Sequence, residues 1–511
     1  MRRTTLIALI AMCLAPMALA TPRDDMTALI RAGNAEAVLA ALDTSDLAAQ
    51  RQSFAAFQTS QPDAGTVSAA LIEAYPDDPR AMTARGWYLV ARGWALRGTG
   101  YARTVYADGL AQMEALHGEA WALALAAVEA DPALVPASDL VLQLARTTGN
   151  RRAIPAELDR VMQIAPNRQS LLLAVFGMTP AWGGPPGWGA DACEAHAARI
   201  ADVEGYTAEV CTLDMLWAAN YGERDRAPYA ERLMASDHPI LEGARLAWAT
   251  SWRMTDAEAR AVLEAAKGDL TLSQARMLDA VRGEGGVGND GPAYRKALKT
   301  QLPRLRAEAD FDPGNSYAVQ VYVDALIAAS VAEGQRVPRD EINARFASLF
   351  ELAPYDGDAW ARYGFILQDR LDFQRIELSE LDAIRGYMEN AVHYTNHDPS
   401  QLAFLDGFNR MAWEALDRRN IDAIDATGET AFSKKDYETS VICPTIRAVR
   451  LLQAICGADP AAGGCPQPGS PLPWDEQMAR AEKRNACEAE RTADLEDLLY
   501  SPVAVALPGA D

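Results

Sequence analysis

The chain has 511 residues, 49% of them hydrophobic and 23% charged, and its 70 acidic against 48 basic residues give a formal net charge of −22. This excess of acidic charge repels nucleic-acid phosphates and anionic lipid headgroups, so it argues against a nucleic-acid partner or a membrane-surface function. The length is sufficient for two to four domains, or for one long solenoid of repeated helices.

Residues 1–20 have the pattern of a secretory signal peptide. Arg2 and Arg3 provide the positive start, residues 6–14 form the apolar stretch, and Ala-Leu-Ala at 18–20 fits a cleavage site. The apolar stretch is too short to span a bilayer, and no later segment offers about 18 apolar residues in a row. We therefore expect a soluble, exported protein, periplasmic or extracellular, without a transmembrane segment after signal cleavage.

Most of the chain after residue 20 is predicted to be helical. Leu158, Val161, Met162 and Ala165 recur at i, i+3, i+4 and i+7, which places them on one face of a helix. Sustained alternation of apolar and polar residues is scarce, so no sheet is expected. Prolines end the helical stretches, because proline lacks the N–H and clashes with the preceding turn. They lie at positions 76, 132, 166, 313, 354 and 399.

The spacing of two of these prolines predicts the fold. Pro132 and Pro166 lie 34 residues apart, which is the period of tetratricopeptide repeats, stacked pairs of antiparallel helices. When the repeat pattern is aligned on Pro132, its small positions fall on Ala120, Ala124 and Ala127. The sequence therefore predicts an all-α fold: a tetratricopeptide-like helical-repeat solenoid of antiparallel helix pairs, with degenerate repeats.

Two motifs in the first half of the chain resemble a known family. Residues 93–102 contain the pattern Trp-x-x-Arg-Gly-x-Gly-Tyr, and residues 180–184 have the sequence Pro-Ala-Trp-Gly-Gly. Over roughly residues 65–250, the chain resembles an uncharacterised bacterial family of tetratricopeptide-like helices. This resemblance implies the fold and no established reaction. The chain departs from the family pattern at residues 185–187, Pro-Pro-Gly, where a serine and an aromatic residue are usual.

The aromatic and glycine residues of these motifs are the candidate binding residues. Two tryptophans lie in the Gly- and Pro-rich loop of residues 177–189, and loops carry function more often than core elements do. Tryptophan also buries a large area while keeping one hydrogen-bond donor. An aromatic groove for a peptide or a sugar is one interpretation of the set, and packing between helices is the other. The candidates are Trp94, Arg97, Tyr101, Trp182, Gly183, Gly184 and Trp188.

A second Gly-rich segment, residues 283–292, suggests a domain boundary. It separates a predicted N-terminal helical-repeat domain, residues 21–283, from a second helical-repeat region, residues 292–420. Its Gly-x-Gly-x-x-Gly letters match a dinucleotide-binding fingerprint, but that fingerprint works only between a strand and a helix, and a helix is predicted to precede this segment. We therefore expect a linker and no cofactor.

His393 and His397 are weak candidates for a metal site. Their i, i+4 spacing could place two imidazoles on one helix face, but zinc in proteins takes at least three protein ligands. The alternative is a helix end, where histidine interacts favourably with the helix dipole. No metal is predicted.

Six cysteines follow Cys13, and an even number in an exported chain favours disulfides. Six cysteines allow fifteen pairings, so the choice depends on geometry. Residues 445–456 and 474–499 are predicted as two antiparallel helices of a hairpin within residues 421–511. Equal distances along both arms, about 20 Å, place Cys443 opposite Cys487. The predicted pairs are Cys443–Cys487, Cys456–Cys465 and, near the middle of the chain, Cys193–Cys211.

No nucleophile elbow, His-Glu-x-x-His or Walker motif is present, so no catalytic residue is assigned, and the sequence leans against an enzyme without deciding the question. The leading hypothesis is a protein- or peptide-binding scaffold of the cell envelope, because stacked helix pairs present a long concave surface. The alternatives are an envelope hydrolase acting on glycan or peptide in a Trp-rich groove, and a small-molecule binding protein. The sequence identifies neither the partner nor the oligomeric state.

Overall fold

The computed structural model describes residues 21–100, 102–218, 223–251, 253–284, 291–369, 371–372, 375–458, 465, 478–479, 481 and 486–505. These residues form helices, turns and irregular connections, and no strand occurs among them, so the prediction of an all-α fold is confirmed. The predicted signal peptide, residues 1–20, lies outside the described residues.

The α-helices are, in chain order, α1 Pro22–Arg31, α2 Ala35–Ala41, α3 Leu47–Ala55, α4 Pro62–Ala74, α5 Pro79–Arg97, α6 Ala107–Ala130, α7 Val135–Thr147, α8 Ile154–Ile164, α9 Arg168–Gly177, α10 Trp188–His196, α11 Ala208–Ala218, α12 Glu223–Arg226, α13 Ala230–Ala235, α14 Glu242–Ala249, α15 Asp256–Glu264, α16 Leu272–Arg282, α17 Pro292–Phe311, α18 Ser316–Ala332, α19 Arg339–Leu352, α20 Gly357–Gln368, α21 Leu378–Tyr394, α22 Pro399–Thr427, α23 Lys434–Tyr437, α24 Cys443–Ala458, α25 Glu488–Thr492 and α26 Leu495–Leu498. Short 3₁₀ turns precede or follow several of them, among them Arg151–Ala153 and Pro180–Trp182.

Local sequence signals explain many of the helix ends. Thr21, Thr255 and Thr271 each form a capping box, in which the threonine side chain and the residue three positions later satisfy each other's backbone N–H groups. The prolines at 76, 132, 166, 313 and 354 each lie two residues after the last residue of a helix, as their chemistry requires.

The chain divides into two compact units. Unit one comprises residues 1–93, 114–312 and 331–335, and unit two comprises residues 94–113, 313–330 and 336–511. The Gly-rich segment that suggested a domain boundary falls inside unit one, where α16 and α17 pack against each other. Residues 285–290 of that segment lie outside the described part of the chain.

Small residues allow close helix packing in unit one. Ala120, Ala124 and Ala127 of α6 have no exposed surface. Gly86 of α5 lies so close to Leu140 of α7 that a Cβ atom at position 86 would overlap the leucine side chain. A larger residue at any of these positions would push the three helices apart, because protein interiors are close-packed.

The predicted apolar face of α8 lies in the core of unit one. Leu158, Val161 and Met162 are at most 1% exposed and belong to one cluster with residues of α7, α9, α10 and α11. That cluster supports the loop between α9 and α10, which carries Trp182.

Helices α21, α22 and α24 form the core of unit two. Phe408 and Trp413 of α22 pack with Ile446 and Val449 of α24, and all four are buried. The run Lys434–Ala458 is long and apolar enough to cross a membrane by length and composition, the one such run among the described residues. Of its apolar window, 44% is buried inside the protein.

Three disulfides are present, so disulfide bonding is confirmed, and the cysteines pair as the sequence predicts. Cys193 bonds Cys211 and joins α10 to α11, Cys443 bonds Cys487, and Cys456 bonds Cys465. Their Cα atoms are 5.6, 5.2 and 5.6 Å apart, respectively. Disulfides are typical of proteins that fold in an oxidising compartment.

The last helix differs from the prediction of one helix over residues 474–499. Cys487 has a φ of 55°, in the left-handed region, and Ala493 and Asp494 separate α25 from α26. Two short helices therefore replace the second half of the long one, and most of residues 471–485 lie outside the described residues.

Candidate functional site

The loop that carries Trp182 is a tight turn that requires both of its glycines. The backbone N–H groups of Trp182 and Gly184 both donate to the Thr179 carbonyl oxygen, at 3.0 Å each. Gly183 has a φ of 78°, a left-handed conformation that favours glycine, and a Cβ atom there would lie 2.6 Å from the guanidinium of Arg151. A Cβ atom at Gly184 would overlap the Met178 carbonyl group. The backbone conformation at Gly183 and the lack of space at Gly184 therefore explain why both positions of the Trp-Gly-Gly pattern are glycine.

The Trp182 side chain is half-buried and lies in an aromatic cluster with an arginine. Its ring meets the ring of Phe176 edge to face, with 6.1 Å between the centroids. The guanidinium carbon of Arg146 lies 4.4 Å from the Phe176 centroid and 5.0 Å from the Trp182 centroid. Both rings thus contact one cation, an arrangement that is favourable because an aromatic face carries partial negative charge.

Arg146 lacks an acidic partner within the described residues. Its Nε is buried and has no hydrogen-bond partner among them. Burial lowers the pKa of Arg146 to about 10, so the guanidinium is still charged at neutral pH. A partly desolvated, unpaired cation next to two aromatic rings is suited to contact with a carboxylate or an aromatic ligand group.

An apolar groove adjoins this cluster between α9 and α11, with a volume of 310 Å³. Leu172, Val175 and Phe176 of α9 and Met215 of α11 line it, so Phe176 belongs both to the groove and to the cluster around Arg146.

The rim of the groove carries Arg168, which is already paired. Its guanidinium donates to both carboxylate oxygens of Asp214, at 2.6 and 2.7 Å, and Asp214 also accepts a hydrogen bond from the Tyr206 hydroxyl at 2.8 Å. These interactions raise the pKa of Arg168. The groove is therefore apolar with a fixed polar rim, which is the usual composition of a ligand site.

Trp188, the other tryptophan of this loop, is the first residue of α10 and packs partly buried against the core of unit one. Gly189 next to it leaves room for Met215, whose sulfur would lie 2.6 Å from a Cβ atom at that position. The start of α10 thus approaches the groove through Gly189 and Met215.

The second family-like motif belongs to unit two and has a packing role there. Gly98, with a φ of 77°, lies against Asp356, and the backbone N–H of Thr99 donates to the Asp356 carboxylate at 3.2 Å. Asp356 caps the N-terminus of α20 through the Ala359 N–H. Burial raises the pKa of the Asp356 carboxyl group.

The Trp94 and Arg97 side chains of this motif are half-buried. The Arg97 guanidinium donates to the Gly98 carbonyl oxygen at 3.0 Å and lies 5.3 Å from the Trp94 ring centroid. Tyr101 lies outside the described residues. Trp94 and Arg97 belong to unit two, whereas Trp182 belongs to unit one.

The two histidines bind backbone groups. Nδ1 of His393 donates to the Tyr500 carbonyl oxygen at 2.8 Å, and Nε2 of His397 accepts from the Tyr500 N–H at 3.0 Å. One group of three potential metal ligands occurs in the described part of the chain, Cys443, Cys487 and Glu490, and its two sulfurs are already joined to each other.

The sequence marked the Trp182 loop but neither Phe176 nor Arg146. No spacing connects them to Trp182, because they meet only when α7 and α9 pack side by side. Comparison with known proteins adds no identity to this geometry: no protein-family model, no curated protein and no solved structure matches the chain.

Proposed function

We propose that this chain is an exported, tetratricopeptide-like helical-repeat protein of the cell envelope that binds a protein or peptide partner. The signal-like residues 1–20, the 34-residue spacing of Pro132 and Pro166 and the two family-like motifs support this proposal. The three disulfides agree with an oxidising compartment.

The observation that carries the proposal is Arg146, which has no acidic partner among the described residues and lies in the cluster that adjoins the apolar groove. A peptide that places apolar side chains between α9 and α11 would bring an acidic side chain or a terminal carboxylate towards Arg146, where it would form a charge-assisted hydrogen bond. Phe176 and Trp182 are the aromatic anchors of the kind that dominate binding energy at interfaces. The lining residues that the structure describes include no carboxylate, so the groove lends no support to the hydrolase alternative.

A peptide selection tests this function. The purified chain without residues 1–20 is used to select from a library of random heptapeptides, and the affinities of the selected peptides are measured by fluorescence anisotropy. We expect peptides that combine apolar residues with an acidic residue or a free C-terminus. Arg146→Gln should weaken their binding about tenfold or more, since a hydrogen bond to a charged group contributes about 1.5–3 kcal/mol.

Arg232→Gln is the matched control, because Arg232 is exposed and already paired with Glu209 at 2.7 Å. It should leave the affinity unchanged. A selection that returns no peptide above background, or peptides that bind Arg146→Gln as tightly as the unchanged protein, contradicts the proposal.

A further inference from the structure

The last described residues of unit two lie along helix α21. Residues 498–505, here called the C-terminal segment, begin at the last residue of α26 and form no helix beyond Leu498. Gly386, Asn390 and His393 of α21 recur at i, i+4 and i+7, so they form one stripe along that helix. Each contacts the C-terminal segment, in the reverse order of its residues.

The contacts go mainly to the backbone of the segment. Asn390 donates to the Val503 carbonyl oxygen at 3.1 Å and accepts from the Val503 N–H at 2.7 Å, so one side chain satisfies both backbone groups. The two histidines do the same for Tyr500, as described above. Arg447 of α24 donates to the carbonyl oxygens of Leu498 and Leu499 at 3.0 and 2.6 Å.

Two side chains of the segment, those of Tyr500 and Val505, pack closely against residues of α24 and α21. The Tyr500 ring is 3% exposed and lies under the Arg447 guanidinium, 4.5 Å from its carbon atom. Val505 packs over Gly386, where a Cβ atom would lie 2.5 Å from a valine methyl carbon. The side chains between them, at residues 501–504, are exposed.

The segment leaves polar atoms unsatisfied. The Tyr500 hydroxyl and Nε2 of His393 are buried and have no hydrogen-bond partner within the described residues. A buried polar atom without a partner costs about 1–3 kcal/mol. A peptide with phenylalanine in place of Tyr500 would avoid the cost of the hydroxyl, so such a peptide is a competitor of the chain's own segment for this surface.

We propose that the stripe on α21 is a binding site for an extended peptide, and that the C-terminal segment occupies it in cis. Recognition through backbone groups at intervals, with pockets for alternate side chains, is how proteins bind extended peptides. The partner segment carries an aromatic residue followed five positions later by a β-branched residue. The site lies in unit two and shares no residue with the groove near Arg146, so it is independent of the function proposed above.

The tethered segment competes strongly with any external peptide. A short tether gives an effective concentration in the millimolar range, so the unchanged protein should bind a free peptide weakly. Weakening the segment in cis should therefore strengthen binding in trans.

The test uses the full chain and a fluorescein-labelled octapeptide of residues 498–505, Leu-Leu-Tyr-Ser-Pro-Val-Ala-Val. Val503→Pro removes the N–H that Asn390 accepts from, while the valine side chain is exposed, so the fold should persist. We expect the apparent Kd of the peptide to fall about fivefold, which corresponds to one hydrogen bond. Ala504→Pro is the matched control and should change nothing.

A second comparison, between two peptides, tests whether the peptide binds at Asn390. On the Val503→Pro protein, a peptide with proline at the Val503 position should bind about fivefold more weakly than the original, and adding Asn390→Ala to the protein should abolish that difference. Arg146→Gln should leave both values unchanged, which separates this site from the groove in unit one. Equal affinity of Val503→Pro and Ala504→Pro for the peptide, or a difference that persists without Asn390, overturns the proposal.

If the circular-dichroism spectrum shows that Val503→Pro is unfolded, hydrogen exchange of the unchanged protein tests the proposal instead. Excess peptide should increase hydrogen exchange at the Tyr500 and Val503 amides, because it displaces the segment that protects them. Unchanged protection of both amides at saturating peptide would equally refute the proposal.

Discussion

His117 is a buried histidine whose environment favours the neutral form. It is 1% exposed, its Nε2 lies 3.2 Å from the Val90 carbonyl oxygen, and its Nδ1 lies 3.0 Å from the Thr147 hydroxyl. Burial, assisted by the positive charge of Arg146, lowers the pKa of His117 to about 4 from the usual 6.5. The unfolded chain therefore binds a proton at this position before the folded protein does.

Acidification should consequently destabilise unit one through His117. Its stabilising contribution is fully present above pH 6.5 and is lost as the pH falls towards 4, by about 3 kcal/mol at the lower end. His117→Gln cannot titrate, so its unfolding free energy, measured by urea denaturation, should depend less on pH between 6.5 and 4. His238→Gln is the matched control and should keep the pH dependence of the unchanged protein. Identical pH profiles for the two variants would contradict this assignment.

At the scale of single residues, the sequence predicted residues that the local backbone conformation requires, but not residues that become important only through tertiary packing. Gly183 and Gly184 were marked by their motif, and a turn conformation and a close approach explain them. Arg146 was not marked, because its significance depends on two rings from elsewhere in unit one. His393 and His397 were marked for metal or for a helix end. His393 lies in the last turn of α21, and both histidines also hold the backbone of Tyr500.

Three glycines in the loop between α9 and α10 distinguish two costs of adding a Cβ atom, which are the strain of a left-handed backbone and steric overlap with neighbouring atoms. Gly187 and Gly183 both have positive φ values, 87° and 78°, but a Cβ atom at Gly187 would meet nothing within 4 Å. Gly184 has no positive φ, but its Cβ atom would overlap the Met178 carbonyl group. Conformational strain and steric overlap thus act at different positions of one loop.

Alanine at each position should destabilise the protein in a fixed order. Gly187→Ala should cost about 1 kcal/mol, the penalty of a left-handed conformation for a residue with a Cβ atom. Gly183→Ala should cost slightly more, because the Arg151 guanidinium has to move. Gly184→Ala should cost about 2–3 kcal/mol, since the loop backbone itself has to shift. Urea denaturation measures all three, and a Gly184→Ala variant as stable as Gly187→Ala would contradict the described turn.

Helices were predictable where their ends have local causes. Proline after a helix and threonine before it act within a few residues, so the ends of α6, α8 and α17 follow from sequence. The break at Cys487 does not, because its left-handed backbone has no glycine or proline to announce it. A disulfide from Cys487 to the first residue of α24 holds this position in place.

At the scale of the whole molecule, the division into two units could not be predicted from the sequence. The Gly-rich segment at 283–292 looked like a linker between domains, but Asp279 of α16 accepts hydrogen bonds from the N–H groups of Ala293 and Tyr294 at 3.0 and 2.8 Å. This carboxylate caps α17 and fixes the two helices to each other. Unit one also takes three separate stretches of the chain, which no local change of composition could reveal.

The three disulfides close loops of different length within the two units. Cys193–Cys211 spans 18 residues in unit one, whereas Cys443–Cys487 spans 44 in unit two and encloses the Cys456–Cys465 loop of 9. A disulfide restricts the unfolded chain more when its loop is longer. Removal of Cys443–Cys487 should therefore cost about 4 kcal/mol and removal of Cys193–Cys211 about 3 kcal/mol.

Paired cysteine-to-serine variants test this order, and hydrogen exchange shows where each effect falls. The Cys443→Ser/Cys487→Ser protein should lose amide protection first in α24 and α21, because its disulfide anchors the start of α24 in the core of unit two. The Cys193→Ser/Cys211→Ser protein should lose protection in α10 and α11 instead, and by less. Equal losses in both units for either variant would mean that the disulfides do not act through the loops they close.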